Sequence, residues 1–213
     1  KLENRRATLD NVPWNKIKIQ DPSKVPSIIF ISDGEHLIND DYEGCVNVKH
    51  SLTIVGESRD KTIIKGGFKL YSDKNKYQFK LENMTIINQK FHGLWAHQTG
   101  KYNYGSRFEA KNLTIRDSKW DGAFCTFPGT FTDCTIENCE RSGISVIETE
   151  INLKGENTLI TRNGTSNTNK DCGIRLGYSH NVRINIYSPL TESVSRNNGA
   201  DGNWGGEGYV ILK

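Results

Sequence analysis

Apolar and polar residues alternate along this chain in short bursts of period two, and the bursts recur. Met84-Thr85-Ile86, Leu113-Thr114-Ile115 and Cys134-Thr135-Ile136 share one form, with a looser copy at Thr158-Leu159-Ile160 and earlier ones at Leu52-Thr53-Ile54 and Thr62-Ile63-Ile64. Period two is the signature of a strand with one face buried. Three positions after the threonine comes Asn88, Asp117 or Asn138, with Asn163 one residue late. Five residues beyond, a glycine opens a second strand: Gly93-Leu94-Trp95-Ala96, Gly122-Ala123-Phe124-Cys125, Gly143-Ile144-Ser145-Val146 and, after a longer loop, Gly173-Ile174-Arg175-Leu176. A third strand precedes each threonine: Phe79-Lys80-Leu81, Phe108-Glu109-Ala110, Phe131-Thr132-Asp133, Ile151-Asn152-Leu153 and Val182-Arg183-Ile184.

Thr62, Thr85, Thr114, Thr135 and Thr158 stand 23, 29, 21 and 23 residues apart, room for three short strands and three turns. Such strands are too short to be stable alone. Stacked on their copies, they complete their backbone hydrogen bonds and close one apolar column. The pattern predicts an all-β, right-handed parallel β-helix solenoid with three short strands per coil and about seven or eight coils. Helical repeats are excluded by the spacing, and a sandwich would not repeat three strand types in fixed order. The recurring Asn or Asp suits a left-handed turn and can hydrogen-bond its equivalent in the next coil. Residues 1–25 fit no coil and read as an N-terminal cap or tail, leaving 26–213 as the β-helix domain. Gly202-Asn203-Trp204-Gly205-Gly206 reads as a final loop before a last strand at Tyr209-Val210-Ile211-Leu212.

Composition agrees. The hydrophobic share is 35% and Met84 is the one methionine, with a mean hydropathy of -0.62; a solenoid with a narrow core tolerates this. With 28 basic and 25 acidic side chains the net charge is +3. The basic clusters, Asn4-Arg5-Arg6 and Lys74-Asn75-Lys76, are too short for the stripe a nucleic-acid partner requires. No apolar run reaches membrane-spanning length. The chain opens on Lys1, so a fragment or a processed product is expected. Of five cysteines, Cys125 and Cys134 fall at core-facing positions, and no spacing suggests zinc, so buried thiols are expected.

Over residues 40 to 190 these repeats resemble the parallel β-helix of pectate lyases, polygalacturonases and their relatives, the pectate-lyase-like superfamily. The stretch from Asp33-Gly34-Glu35-His36 to Thr62-Ile63-Ile64-Lys65-Gly66 is similar to first coils of that superfamily. The resemblance implies a polysaccharide or surface glycan as partner. In polygalacturonases the catalytic carboxylates occupy the turn before such a glycine, where this chain has Asp121-Gly122 and, nearby, Asp171. The paired aspartates of that family's second motif are replaced here by Arg141-Ser142, its Arg-x-Lys motif has no clear counterpart, and Phe91-His92-Gly93 is only superficially similar to its Gly-His-Gly. Pectate lyases use an arginine base and calcium held by aspartates. Arg141 and Arg175 fit such a base, but no acidic cluster is dense enough to indicate calcium, so no cofactor is expected.

The residues themselves add a second line of argument. If Leu94 and Ala96 point inward, then Trp95 and His97 point outward, followed in register by Phe124, Ser145 and Arg175. Aromatic faces in a row suit sugar rings, though long loops over them would bury them instead. Before the glycines stand His92, Trp120 with Asp121, Arg141, and Asp171. At a coil spacing of about 4.8 Å, His92 and Asp121 become neighbours and Arg141 falls between Trp120 and Asp171. Asp121 and Asp171, two coils apart, have roughly the separation of an inverting hydrolase pair.

Three sequons, Asn83-Met84-Thr85, Asn112-Leu113-Thr114 and Asn163-Gly164-Thr165, are accounted for in the first two cases by the repeat itself. The outward ladder Thr85, Thr114, Thr135 has irregular, charged strand partners, which argues against ice binding. Two functions fit. One is a glycan-binding or polysaccharide-processing β-helix, a hydrolase or lyase if catalytic, with His92, Asp121, Arg141 and Asp171 as catalytic candidates. Its sugar contacts would be Trp95, His97, Trp120, Phe124 and Arg175. The other is a non-catalytic structural, adhesion or virion-surface module. Either implies an extracellular or surface setting and is compatible with a homo-oligomer.

Overall fold

The computed structural model describes residues 27–38, 43–73, 76–100, 105–166, 171–179, 181–199 and 202–213. The N-terminal cap or tail expected at residues 1–25 lies outside them. The described chain winds as a parallel β-helix with three strand columns. The first contains Ile28–Ile31, Leu52–Gly56, the leading halves of Gln78–Ile87 and Arg107–Arg116, then Gly129–Thr132, Glu150–Lys154, Arg183–Ile186 and Tyr209–Leu212. The second contains Gly34–Leu37, Thr62–Lys65, the trailing halves of the same two long strands, Thr135–Glu137, Leu159–Thr161 and Ser195–Arg196. The third contains Cys45–Val48, Gly67–Ser72, Leu94–Gln98, Ala123–Cys125, Ile144–Val146, Ile174–Leu176 and Trp204–Gly206. Because the two long strands run through a corner, hydrogen bonding joins columns one and two into a sheet of 13 strands, and column three forms a sheet of 7. Eight strands in the first column and seven in the third agree with the expected coil count.

Alternation decides what each column buries. In column three the inward rows are Leu94, Ala123, Ile144, Ile174 and Ala96, Cys125, Val146, Leu176. In column two Ile64, Ile86, Ile115, Ile136 and Ile160 stack on one another. All five cysteines are buried, as expected of Cys125 and Cys134. Burial raises the thiol of Cys134 to about 11 and that of Cys139 to about 12, which keeps them protonated and inert.

The glycine that opens each column-three strand has a packing reason. A Cβ on Gly122 would stand 2.4 Å from Ile136 Cγ2, 2.8 Å from the Gly143 carbonyl and 3.0 Å from Cys139 Sγ. Gly67, Gly93, Gly143 and Gly173 are blocked in the same way by Asn88, Ser118, Asn163 and Asn198. Those side chains form an inner ladder beside an outer one of left-handed residues, Asp117, Asn138, Arg162 and Asn197, with φ between 54° and 55°. The single Asn/Asp ladder read from the repeat is therefore two. Asn88 and Asn163, both buried, belong to the inner one, which explains why Asn163 comes one residue late. At the corner between columns one and two, Asn83, Asn112 and Asp133 take φ of 55°, 50° and 53°, and Asn112 Nδ2 donates to Asn83 Oδ1 at 2.9 Å. All three sequon asparagines are thus structural.

Several register assignments change. Leu52-Thr53-Ile54 is a column-one strand opposite Phe79-Lys80-Leu81. Ile63, not Thr62, pairs with Thr85. Gly129, not Phe131, faces Phe108, and a Cβ there would meet the Phe108 ring at 2.1 Å, so glycine makes room for the ring. Ile184 rather than Val182 continues that row beyond Ile151. Trp204–Gly206 is a strand on Ile174–Leu176 rather than a loop. The two-residue shifts at Gly129 and Ile184 share a cause: turns of variable length displace the strand while the local apolar alternation reads the same in either register.

The threonine ladder is not open to solvent. Thr85 is buried and donates to the Arg59 carbonyl at 2.8 Å. The Arg59 guanidinium lies across the next rungs, donating to Thr114 Oγ1 at 2.7 Å, Thr135 Oγ1 at 2.6 Å and Asn112 Oδ1 at 3.3 Å. Arg59→Ala is expected to cost about 2–3 kcal/mol, with Arg59→Lys restoring only part because one ammonium cannot span two rungs. Gly122→Ala should cost about 1–3 kcal/mol by overpacking. Urea midpoints of the three variants test both statements.

Candidate functional site

The outer face of column three carries the predicted site. Register aligns Lys69, Trp95, Phe124, Ser145 and Arg175 in one outward row, and Tyr71 and His97 in the next. Gly67-Phe68-Lys69-Leu70-Tyr71 is the same glycine-opened strand as Gly93-Leu94-Trp95-Ala96-His97, one coil earlier, so Lys69 and Tyr71 were legible from the repeat although the site prediction omitted them. In the turn before the glycines, Phe91, Trp120 and Arg141 stack through their backbones at 3.3 Å, and the register of Ile144 on Ile174 continues that column to Asp171. The neighbouring turn column is His92, Asp121, Ser142 and Cys172. Asp121 and Asp171 thus belong to adjacent turn columns, one and two residues before their glycines.

The rings form one continuous cluster. Ring centroids are 4.4 Å apart for Phe91–Trp120 and Phe91–His92, 5.0 Å for Phe91–Trp95 and His92–Phe124, and 4.8 Å for Trp95–His97. Tyr71 meets His97 edge-on at 5.5 Å. Cations lie on these rings: Lys69 Nζ 3.5 Å from the Trp95 centroid, the Arg141 guanidinium 4.0 Å from that of Trp120, and Lys49 Nζ 5.0 Å from that of Tyr71. Trp95, His97, Trp120, Phe124 and Arg175 are all half-buried, whereas Arg141 is exposed. The rings are neither open platforms nor sealed in the core. They pack edge and face against one another and leave a ridge.

His92 and Asp121 lie beneath that ridge, 3% and 6% exposed. His92 Nδ1 is 3.3 Å from Asp121 Oδ2, in contact but without the alignment of a hydrogen bond, and Asp121 Oδ1 accepts from the Ser142 backbone N–H at 3.1 Å. Burial pushes the Asp121 carboxyl up to about 7; Ser142, Arg141 and Arg175 pull it down, while Asp171 adds to the rise. Burial likewise drives His92 down to about 3, with the Asp121 backbone opposing and Arg141 and Lys69 reinforcing. Asp121 therefore senses Arg141, Asp171 and Arg175 electrostatically, so the fold does gather these candidates around one point. Asp171 is 4% exposed and accepts from Ser166 Oγ at 2.6 Å.

Among the described residues, no three His, Cys, Asp or Glu side chains converge as a metal site. Two surface recesses lie elsewhere, one among Leu159, Pro189, Leu190 and Val194, the other among Pro128, Thr149 and Arg183. Neither is lined by a predicted site residue.

No protein-family model matches the chain, and no curated protein matches it. Among solved structures it is similar to the A-module of mannuronan C-5 epimerase AlgE4 from Azotobacter vinelandii. That alignment covers 87% of this chain and 88% of that chain, at 11% identity and a TM-score of 0.34.

The buried pair has a consequence for stability. His92, lowered from 6.5, contributes stability that is present above 6.5 and lost as pH falls toward 3. Asp121, raised from 3.8, contributes stability that is present below 3.8 and lost as pH rises toward 7. Between 3.8 and 6.5 the folded and unfolded pair each bind one proton, so the slopes cancel. Asp121→Asn should uncover the His92 slope, with stability falling as pH drops from 6.5, by at most about 1.4 kcal/mol per pH unit. His92→Gln should uncover the opposite slope. Urea titrations at stepped pH read both, and flat profiles in both variants would disprove the assignment.

Proposed function

We propose that this chain is a glycan-binding β-helix module whose ligand lies on the outer face of the third strand column. The observation that carries this is the aromatic ridge from Tyr71 through His97, Trp95 and Phe91 to Trp120, with Lys49, Lys69 and Arg141 on its rings. Half-buried rings held rigid by their neighbours offer apolar area to a pyranose at little entropic cost, and the flanking cations orient its polar groups. Binding rather than turnover follows from the state of the carboxyls. Asp121 and Asp171 are both buried and hydrogen-bonded, where an inverting pair has to flank a bond and admit a water.

Polysaccharide processing is the second reading, and one observation favours it. A carboxyl raised to about 7, near Asp171, Arg141 and Arg175, has the proton affinity of a general acid. Under both readings the natural setting is a cell, virion or extracellular surface that carries glycans.

A glycan array and a polysaccharide-degradation screen separate them. Arg141→Ala, an exposed change, should weaken binding about 5- to 30-fold and leave the melting temperature unaltered. Asp121→Asn should leave binding intact. Product formation by the wild type that is lost in Asp121→Asn would replace the binding reading with an enzyme. No binding and no turnover would leave a structural solenoid.

A further inference from the structure

Lys69 is out of place on an outward row. Its side chain is 8% exposed, yet it belongs to the surface-facing series that continues through Trp95 and Phe124. Its ammonium sits 3.5 Å above the Trp95 ring and 5.3 Å from that of Tyr71. It donates to both oxygens of Glu43, at 2.9 and 2.8 Å. The Glu43 side chain is 19% exposed and comes from outside the strands, just before Cys45–Val48. A desolvated ammonium on an aromatic floor, holding one carboxylate at its solvent edge, has the form of an occupied anion site. Trp95 Nε1, in the same floor, is buried with no acceptor.

We infer that Lys69 is an anion subsite on this face and that Glu43 is its built-in competitor, displaced by an anionic group of the ligand. The inference rests on the glycan-binding reading and adds a rule of selectivity to it. The ligand group is a carboxylate or a sulfate ester, because both present the two or more oxygens that Glu43 now supplies. Neutral sugars cannot take Glu43's place, since leaving Lys69 buried without an anion costs more than the sugar contact returns. A group carrying one negative charge exchanges for Glu43 with little electrostatic loss, and Glu43 recovers its hydration outside. The pair therefore closes this subsite to uncharged ligands, which leave it in place, and lowers affinity only for the anionic ligands that must displace Glu43.

The test compares the full chain with Glu43→Gln and Lys69→Met by calorimetric titration. Three oligosaccharides of equal length serve as probes: a glucuronate oligomer, a sulfated neutral oligomer and its unsulfated form. Glu43→Gln should bind one or both anionic probes on the order of tenfold more tightly than the wild type and the neutral probe no better. Lys69→Met should lose the preference for charge. Whichever anionic arm responds identifies the source. Equal affinities in wild type and Glu43→Gln, or a gain that extends to the neutral probe, overturn the competitor.

If no oligosaccharide binds any chain, the glycan reading fails, and the subsite is then decided with inorganic sulfate and free glucuronate. Tryptophan emission of Glu43→Gln should shift on their addition, and that of Glu43→Gln/Trp95→Phe should not. No shift in the former overturns the subsite itself. Melting curves of each variant identify any that fail to fold, and for those Glu43→Ala and Lys69→Gln carry the same comparison.

Discussion

Parallel stacking of coils governs this molecule. A strand of three to five residues has no partner within its own coil, so its backbone N–H and C=O groups are satisfied by the coils above and below. Pairing is one-to-one, as in the run Leu94, Ala123, Ile144 and Ile174, and each residue's nearest neighbours are its own equivalents a coil away. A side chain is therefore selected for what it does against copies of its position. Isoleucine on isoleucine fills the core, asparagine beside asparagine closes a hydrogen-bonded corner, and a column of glycines admits the side-chain ladder packed beneath it.

The same constraint explains exceptions. Arg162 adopts φ 55°, a backbone that costs an arginine more than an asparagine. It is held there because its guanidinium bonds Asn138 and Glu137 one coil earlier. Gly155 takes the corner position that Asn83, Asn112 and Asp133 fill in earlier coils, and the Asp133 carboxylate occupies the space its side chain would need. Arg59 works across the stack: its guanidinium ties the rungs of two coils and its carbonyl that of a third, covering a threonine row that alternation alone would leave exposed.

On the outer face of column three, stacking sets chemistry as well as shape. It places His92 against Asp121 and buries both beneath rings from two successive coils, Phe91 and Trp95 in one, Trp120 and Phe124 in the next. Desolvation then favours the neutral form of each, so a pair that looks like acid and base behaves as a buried structural contact sharing one proton. Above them the rings stay half-buried and Arg141 is exposed, whereas Lys69 is buried against Trp95.

Much of this was legible in the chain before any coordinates. Period-two alternation is a local property of strand backbone, and the recurrence of Gly93, Gly122, Gly143 and Gly173 marks positions where no Cβ fits, so the solenoid, its three columns and the outward row of Trp95, Phe124 and Arg175 followed from sequence. Register was less secure wherever turn length varied, as at Phe131 and Val182, because an apolar residue two positions away satisfies the same alternation. The neighbourhood of His92 and Asp121 and the burial of Cys125 and Cys134 were legible too, but the burial of the polar groups and the pairing of Lys69 with Glu43 were not. Asp121 next to a glycine reads equally as a solvated turn or a desolvated acid, and nothing local to Lys69 or Glu43 foretells their pairing. Those outcomes depend on which side chains from neighbouring coils close over one point, as Glu43 does over Lys69 across 26 residues. Only the stacked structure decides that.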